Sequence, residues 1–318
     1  MNCWGVMRCS ERIWALNFDA VIVYLDQNKW IELAKIVHGK DKSPRAIKIL
    51  YELGAAIDSG CVLPLSAIHY MELARVSNVA RKARLGSVMW EYSKGITLVP
   101  YSNVVRFEIE NALSKYFPQV IPNELKLLGS GISHAFGVDA TSNFPPEIEA
   151  EIERSMLTGS AVLNIDPLAF RSNEHRVNFS THLGLLHTTK NELPKSKWEN
   201  WLYGIALADI RKPLAEVMTR FGIEKSVFET LGEAQLKAIV DEMPSRKLDM
   251  HLHRQVLRNP NYISKETDLE DWAGLGVASC YCDVVVCEKH MADMIQRDHF
   301  SAKARIETNI ADIFPALV

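Results

Sequence analysis

The segment Ala20–Lys35, AVIVYLDQNKWIELAK, changes from an apolar run to a helical pattern within a few residues. Its first part, Ala20–Leu25, is too short for a buried helix and is rich in β-branched residues, so it predicts a strand covered on both faces. Apolar side chains then recur at helical spacing at Trp30, Leu33, Ala34 and Val37. Asp26 therefore ends a predicted parallel strand, where open α/β sheets bind ligands. A single Asp here could equally cap the following helix, but its counterparts elsewhere in the chain make that the less favoured interpretation.

The bulk composition indicates a protein with a sizeable core. The chain has 318 residues, 47% of them hydrophobic, and a net charge of −3, which gives no global sign of a nucleic-acid binder. No apolar run reaches the length of a membrane span. Residues 1–17 are an irregular lead-in, in which Arg8, Glu11 and Arg12 lie where a signal peptide would need an apolar block. We therefore expect a cytoplasmic protein with no membrane partner. Its six cysteines are unevenly spread and should be reduced thiols.

A second strand-to-helix unit follows the first. Cys61–Leu65 predicts a strand, Ser66 suits the N-cap of the next helix, and Glu72 lies in that helix's second turn. Ile96–Val99 predicts a third strand. Glu72 is thus a second carboxylate, after Asp26, that follows the end of a predicted strand closely in the chain.

Basic residues cluster near these acids and again late in the chain. Such residues either form a solvated face or contact the phosphates of a nucleic acid. The candidates for phosphate contact are Arg75, Arg81, Lys82, Arg84, Arg254 and Arg258. The neighbouring His251 and His253 are two residues apart, which points them in different directions on a helix and argues against a shared metal.

Between residues 111 and 261 the pattern predicts helices and almost no strands. Asn164–Pro194 is polar and predicts a long loop. We interpret 111–261 as a helical insertion or subdomain.

The carboxyl-terminal part carries the remaining acids. Thr267-x-x-Glu270 has capping-box spacing, and Asp268 and Asp271 share a face of the helix it opens. Asp283 precedes a second all-apolar strand, and Glu288 ends it. Cys280, Cys282, Cys287 and His290 lack the usual zinc-ligand spacing, so we favour core thiols over a zinc site.

Carboxylates gathered at one sheet edge repel each other unless cations lie among them. Oxygen ligands with room for water suit Mg²⁺ or Mn²⁺. Two such ions can activate water and stabilise the leaving oxygen of a phosphodiester. The residues therefore predict nuclease chemistry.

Three motifs in order resemble those of PIN domains, which are Mg²⁺- or Mn²⁺-dependent ribonucleases. They are the strand-Asp26-x-Asn28-helix, the strand-Ser66-helix-Glu72, and the late stretch Asp271–Glu288. The resemblance implies that Asp26, Glu72 and Asp271 bind metal, with Asp283 or Glu288 as the last ligand and Asp268 as a further candidate. It also implies supporting polar roles for Asn28 and Ser66.

The implied architecture is an α/β, PIN-like three-layer fold with a central parallel sheet flanked by helices. Its nuclease core would comprise 18–110 and 262–318, with the helical insertion at 111–261. The implied function is RNA hydrolysis, as in toxins or RNA-processing enzymes, with the insertion available for an inhibitor, another protein partner or self-association. The strand ending in Cys287-Glu288 and the large insertion depart from the family pattern. The alternatives are a catalytically inactive PIN-like domain that serves as an interaction module, and a DNA nuclease or phosphohydrolase that uses the same acidic site.

Overall fold

The computed structural model describes residues 20–138, 145–159, 167–170, 173–259, 261–263, 265 and 268–314. The lead-in 1–17 and Thr267, the first residue of the predicted capping box, lie outside the described residues. No helix among the described residues is both long enough and apolar enough to span a membrane.

The protein is a mixed helix-and-sheet structure with a small central sheet. Strands β1 (Val23–Leu25), β4 (Val284–Val286) and β5 (Arg305–Glu307) are parallel and lie in the order β1-β4-β5. Strand β2 (Ile96–Leu98) pairs antiparallel with β3 (Leu128–Ser130).

The segment 61–65 joins these two sheets into one layer. On one side Val62 donates its N–H to Val21 at 2.9 Å, and on the other Leu65 donates to Ile96 at 2.9 Å. The two isolated β-bridges of this segment, Ile22–Val62 and Leu65–Thr97, are both parallel. Pro64 cannot donate a backbone hydrogen bond, which explains why this segment forms isolated bridges and not a full strand.

Helices account for most of the remaining described structure. They are α1 (Gln27–Val37), α2 (Pro44–Asp58), α3 (Ala67–Ala74), α4 (Val79–Ser93), α5 (Tyr101–Ser114), α6 (Gly131–Phe136), α7 (Pro146–Thr158), α8 (Asn173–Glu192), α9 (Trp198–Asp209), α10 (Arg211–Arg220), α11 (Lys225–Phe228), α12 (Glu233–Asp241), α13 (Pro244–Arg258), α14 (Asp268–Tyr281) and α15 (Lys289–Gln296).

The central strands are buried on both faces, as their sequence predicts. Val23 and Leu25 of β1 pack into one hydrophobic core with Trp30 and Leu33 of α1. Tyr24, between them, points into a second core that contains Trp272 and Leu275 of α14. Each fully buried side chain of this size stabilises the fold by roughly 1.5–3 kcal/mol, so the two cores fix the strand ends firmly.

The middle of the chain differs from its prediction in two places. The predicted loop Asn164–Pro194 contains helix α8, which packs against α13 and α14. Strand β3 also lies within the segment that was expected to be almost free of strands. In both cases packing against other elements stabilises what the local pattern does not favour.

The buried carboxylate of Glu108 ties three helices of this region together. From α5 it accepts hydrogen bonds from the N–H and Oγ of Ser245, at 2.9 and 2.5 Å, and from the Oη of Tyr281 at 2.7 Å. The first two bonds satisfy donors at the start of α13, and the third reaches the end of α14. The relative placement of these helices is therefore specified by a hydrogen-bonded polar group inside the core.

Candidate active site

Asp26 lies at the carboxyl end of β1, where its backbone N–H donates to the carbonyl of Val286 at 2.9 Å. Its Oδ1 accepts the N–H of Gln27 at 2.8 Å, so Asp26 is the N-cap of α1. Setting the capping role aside was therefore wrong, although the cap uses only one of the two oxygens. Burial raises the pKa of Asp26 to about 6; the Gln27 hydrogen bond opposes this, and the Glu288 charge adds to it.

Glu72 projects from α3, the helix that follows the second sheet segment. Burial raises its pKa to about 8, and the charges of Asp26 and Asp271 add to the effect. Its Oε2 atom is buried and has no hydrogen-bond partner among the described residues. A buried carboxylate oxygen without a donor is costly and marks a place where a cation would be stabilised.

Asp271 brings a third carboxylate from the first turn of α14. Burial raises its pKa to about 7, and the charge of Asp26 contributes next, followed by those of Asp268, Glu270 and Glu288. Asp26, Glu72 and Asp271 thus come from three separate segments, and the charge of Asp26 raises the pKa values of the other two. We call these three the edge carboxylates.

Glu288 follows β4 at this same carboxyl edge. It is the N-cap residue of α15, and its Oε1 accepts a hydrogen bond from the side-chain amide of Asn28. Because β1 and β4 are parallel, the residues after both strands meet at one edge. Asn28 therefore holds Glu288 beside Asp26. This contact agrees with the supporting polar role predicted for Asn28.

Asp283 does not belong to this group. The register pairs Val23 with Val284, which puts Asp283 at the opposite, amino edge of the sheet. There its Oδ2 accepts the N–H of Ile22 at 2.8 Å, and its Oδ1 lies 3.3 Å from Lys303 Nζ. The prediction that Asp283 completes the metal site is corrected, because a residue that precedes a strand lies a strand length away from one that follows it. By position, Glu288 is the fourth acid.

Asp268 is buried and already engaged in hydrogen bonds. Its Oδ2 accepts the Oη of Tyr262 and the N–H of Lys265, each at 2.8 Å. Asp268 therefore anchors the turn before α14 and influences Asp271 through its charge.

Ser66 belongs to a buried polar network that the sequence analysis did not anticipate in full. Its Oγ lies 3.1 Å from the Oη of Tyr24, and its N–H donates to His69 Nδ1 at 2.9 Å. His69 Nε2 lies 2.9 Å from the carbonyl oxygen of Leu25, and burial lowers the pKa of His69 to about 4. The neutral imidazole thus connects the start of α3 to the end of β1. The spacing Ser66-x-x-His69 was the available sequence signal.

Two more residues near the edge were missed from sequence. Lys29 donates to the carbonyl of Thr308 at 2.7 Å, and its charge lowers the pKa of Asp26. Glu270, expected to complete a capping box, instead forms an ion pair with Arg75 at 2.8 Å. The charge of Arg75 lowers the pKa of Glu72, and the charge of Glu270 opposes it.

The predicted phosphate-contacting residues differ in their surroundings. Arg254 forms a bidentate pair with Glu199 at 2.9 Å, and Arg258 pairs with Asp298. Arg81 and Arg84 are exposed on α4, and Lys82 is half-buried beside them. Their contact with a nucleic acid stays a prediction.

The donor set matches a hard divalent cation in chemistry. The edge carboxylates and Glu288 offer oxygen atoms only, and the buried Oε2 of Glu72 lacks a donor. Among the described residues, however, no three His, Cys, Asp or Glu side chains are arranged so that they could hold a metal ion. The residues suit Mg²⁺ or Mn²⁺, while their side chains do not form a completed ligand shell. Cys280, Cys282 and Cys287 are buried free thiols in the core, as we favoured.

Comparison of the chain with protein-family models, with curated proteins and with solved structures gave no match. The functional argument therefore rests on the residues at the carboxyl edge of the sheet.

Proposed function

We propose that this protein is a metal-dependent endoribonuclease that hydrolyses RNA phosphodiesters with Mg²⁺ or Mn²⁺. The observation that supports this most is the group of edge carboxylates, three half-buried acids from separate segments whose pKa values are all raised; the charge of Asp26 adds to the rise at Glu72 and Asp271. Perturbed pKa values of this kind concentrate at functional sites.

Asp26, Glu72 and Asp271 would hold the cations, with Glu288 as the fourth ligand. The bound ions would supply an activated water and stabilise charge on the leaving oxygen. Because the pKa values of Glu72 and Asp271 lie near neutrality, both carboxyls must release protons before they bind a cation. Asn28 fixes Glu288, and the network of Tyr24, Ser66 and His69 fixes the helix that carries Glu72.

The choice of RNA as substrate follows from the resemblance to PIN domains and from the order of the three motifs. The parallel order of the segments 96–98, 62–65, 23–25, 284–286 and 305–307 is consistent with that proposal. Exposed Arg81 and Arg84 on α4 offer positive charge for a phosphate backbone.

A substrate panel tests the proposal directly. Single-stranded RNA, hairpin RNA, single-stranded DNA and a phosphomonoester are offered with Mg²⁺, with Mn²⁺ and with EDTA. We expect cleavage of RNA with either metal and none with EDTA. Preferred cleavage of DNA or of the phosphomonoester would reassign the substrate. Metal binding without any cleavage would favour the interaction module, and cleavage that persists in EDTA would contradict the metal-dependent mechanism.

A further inference from the structure

A cavity of about 620 Å³ lies between helices α5, α8, α10, α13 and α14. Its volume falls within the roughly 300–1,000 Å³ that is usual for small-molecule sites. From α14 it is lined by Leu269, Trp272, Ala273 and Gly276. At 100° per residue these four share one face, and Asp271 lies on the nearly opposite face. The cavity is therefore separate from the edge carboxylates.

Three aromatic rings contribute to the cavity wall. Phe179 and Trp272 pack edge to face with their centroids 5.3 Å apart. On another side the guanidinium of Arg246 lies over the ring of Tyr101, 5.3 Å from its centroid. All four of these residues line the cavity. Such walls favour a flat, conjugated ligand.

Hydrogen-bond donors and acceptors lie beside these rings. Arg246 is 5% exposed and sits between two carboxylates, with its Nη1 atom 3.6 Å from Asp209 Oδ2 and 3.5 Å from Asp249 Oδ2. Its Nε atom, and His182 Nε2, are buried without a hydrogen-bond partner among the described residues. Asp209 remains 43% exposed where it lines the cavity. A ligand here would meet the accessible carboxylate of Asp209, which is held beside the Arg246 guanidinium.

We propose that this cavity binds the purine base of a nucleotide. A purine base carries N–H groups that donate hydrogen bonds, and the Asp209 carboxylate at the cavity is an accessible acceptor for them. Its two fused rings suit the aromatic wall better than a pyrimidine does. Exposed Lys212 at the rim is placed to meet a phosphate. The proposal does not depend on the nuclease chemistry.

Calorimetric titration of the full-length protein tests this site, with AMP, GMP, UMP and ribose 5-phosphate as probes. At least one purine mononucleotide should bind more tightly than UMP, and ribose 5-phosphate should not bind measurably. A parallel titration with a short oligoadenylate RNA in EDTA distinguishes the source of the base. Binding of the free nucleotide indicates a nucleotide ligand. Binding of only the oligonucleotide indicates a base presented by RNA, and it supports the assignment if Ala273→Leu weakens it and overturns the assignment if Ala273→Leu does not.

Ala273→Leu extends a side chain into the cavity and should weaken purine binding at least tenfold. Ala55→Leu, on an exposed position of α2, is the matched control and should bind as the wild type does. Asp209→Asn provides a second test at a partly exposed side chain, and it should also weaken binding about tenfold because it removes the charged acceptor. Equal affinity for UMP, or purine binding that is unchanged in both cavity variants, would overturn the proposal.

Discussion

Two groups of acids differ in what stabilises their charge. In the Arg246 cluster, formed by Asp209, Arg246, Asp249 and His253, basic side chains lie beside the carboxylates. Although burial opposes it, the charges of Arg246 and His253 hold the pKa of Asp249 at about 2. Burial raises the pKa values of the edge carboxylates to about 6, 8 and 7, and the charges of Lys29 and Arg75 only oppose this rise at Asp26 and Glu72. The contrast shows that Asp249 has its counter-charge among the described residues, whereas the edge carboxylates would be stabilised by a cation from solution.

Removing the internal cation should have the largest effect on stability. Arg246→Met leaves Asp249 buried without its main partner, so the free energy of unfolding should fall by about 3–5 kcal/mol. Urea denaturation measures the change, with Lys212→Met, at an exposed position, as the control. Stability of Arg246→Met close to wild type would mean that Arg246 does not compensate Asp249.

Removing one edge carboxylate should instead abolish activity and preserve the fold. We expect Asp271→Asn to lower the rate of RNA cleavage at least about 100-fold, since losing even a residue that only orients a metal ligand costs about 10–100-fold. Asp283→Asn is the matched control, because Asp283 lies at the opposite edge of the sheet. Equal losses in the two variants would contradict the placement of the site.

The edge carboxylates and Asp249 should also differ in the sign of their pH dependence. The edge carboxylates bind protons more tightly when folded, so their contribution to stability is present below about pH 4 and is lost as the pH rises towards 8. Asp249 has a lowered pKa, so its contribution is present above about pH 4 and is lost as the pH falls towards 2. Thermal unfolding between pH 5 and 8 in EDTA, compared with the variant Asp26→Asn/Glu72→Gln/Asp271→Asn, isolates the first effect. The wild type should lose stability relative to this variant as the pH rises.

A single neutral replacement should give the smallest effect. Glu72→Gln removes one repelling charge, and at pH 8 in EDTA we expect Tm to rise by about 1–2 °C, since about 1 kcal/mol corresponds to about 1.5 °C in a chain of this length. Glu91→Gln, on an exposed position of α4, is the control and should leave Tm unchanged. A lower Tm for Glu72→Gln would indicate that the Glu72 charge is already compensated within the fold.

Local patterns in the sequence predicted the strand ends that carry Asp26 and Glu288, because a short apolar run followed by an acid fixes both the strand and its direction. They also predicted the helices that carry Glu72 and Asp271. Asp283 was predicted to reach the site through the turn before its strand, whereas the register places it a strand length away, at the opposite edge of the sheet.

The remaining differences arise from contacts between distant segments. The pairing of Arg75 with Glu270 and the link from His69 to Leu25 join residues far apart in the sequence, which no local pattern reveals. Helix α8 forms where its own sequence is polar because it packs on α13 and α14. Strand β3 needs β2 as a partner, so its three residues carry too little local information.

Calorimetric titration with Mn²⁺ at pH 7.5 tests the central claim most directly. If the edge carboxylates form the metal site, wild type should bind Mn²⁺ and release protons, seen as heats that depend on the ionisation enthalpy of the buffer, because Glu72 and Asp271 must deprotonate. Asp271→Asn should lose this binding, and Asp283→Asn should keep it. Absence of Mn²⁺ binding by wild type, or undiminished binding by Asp271→Asn, would contradict the account.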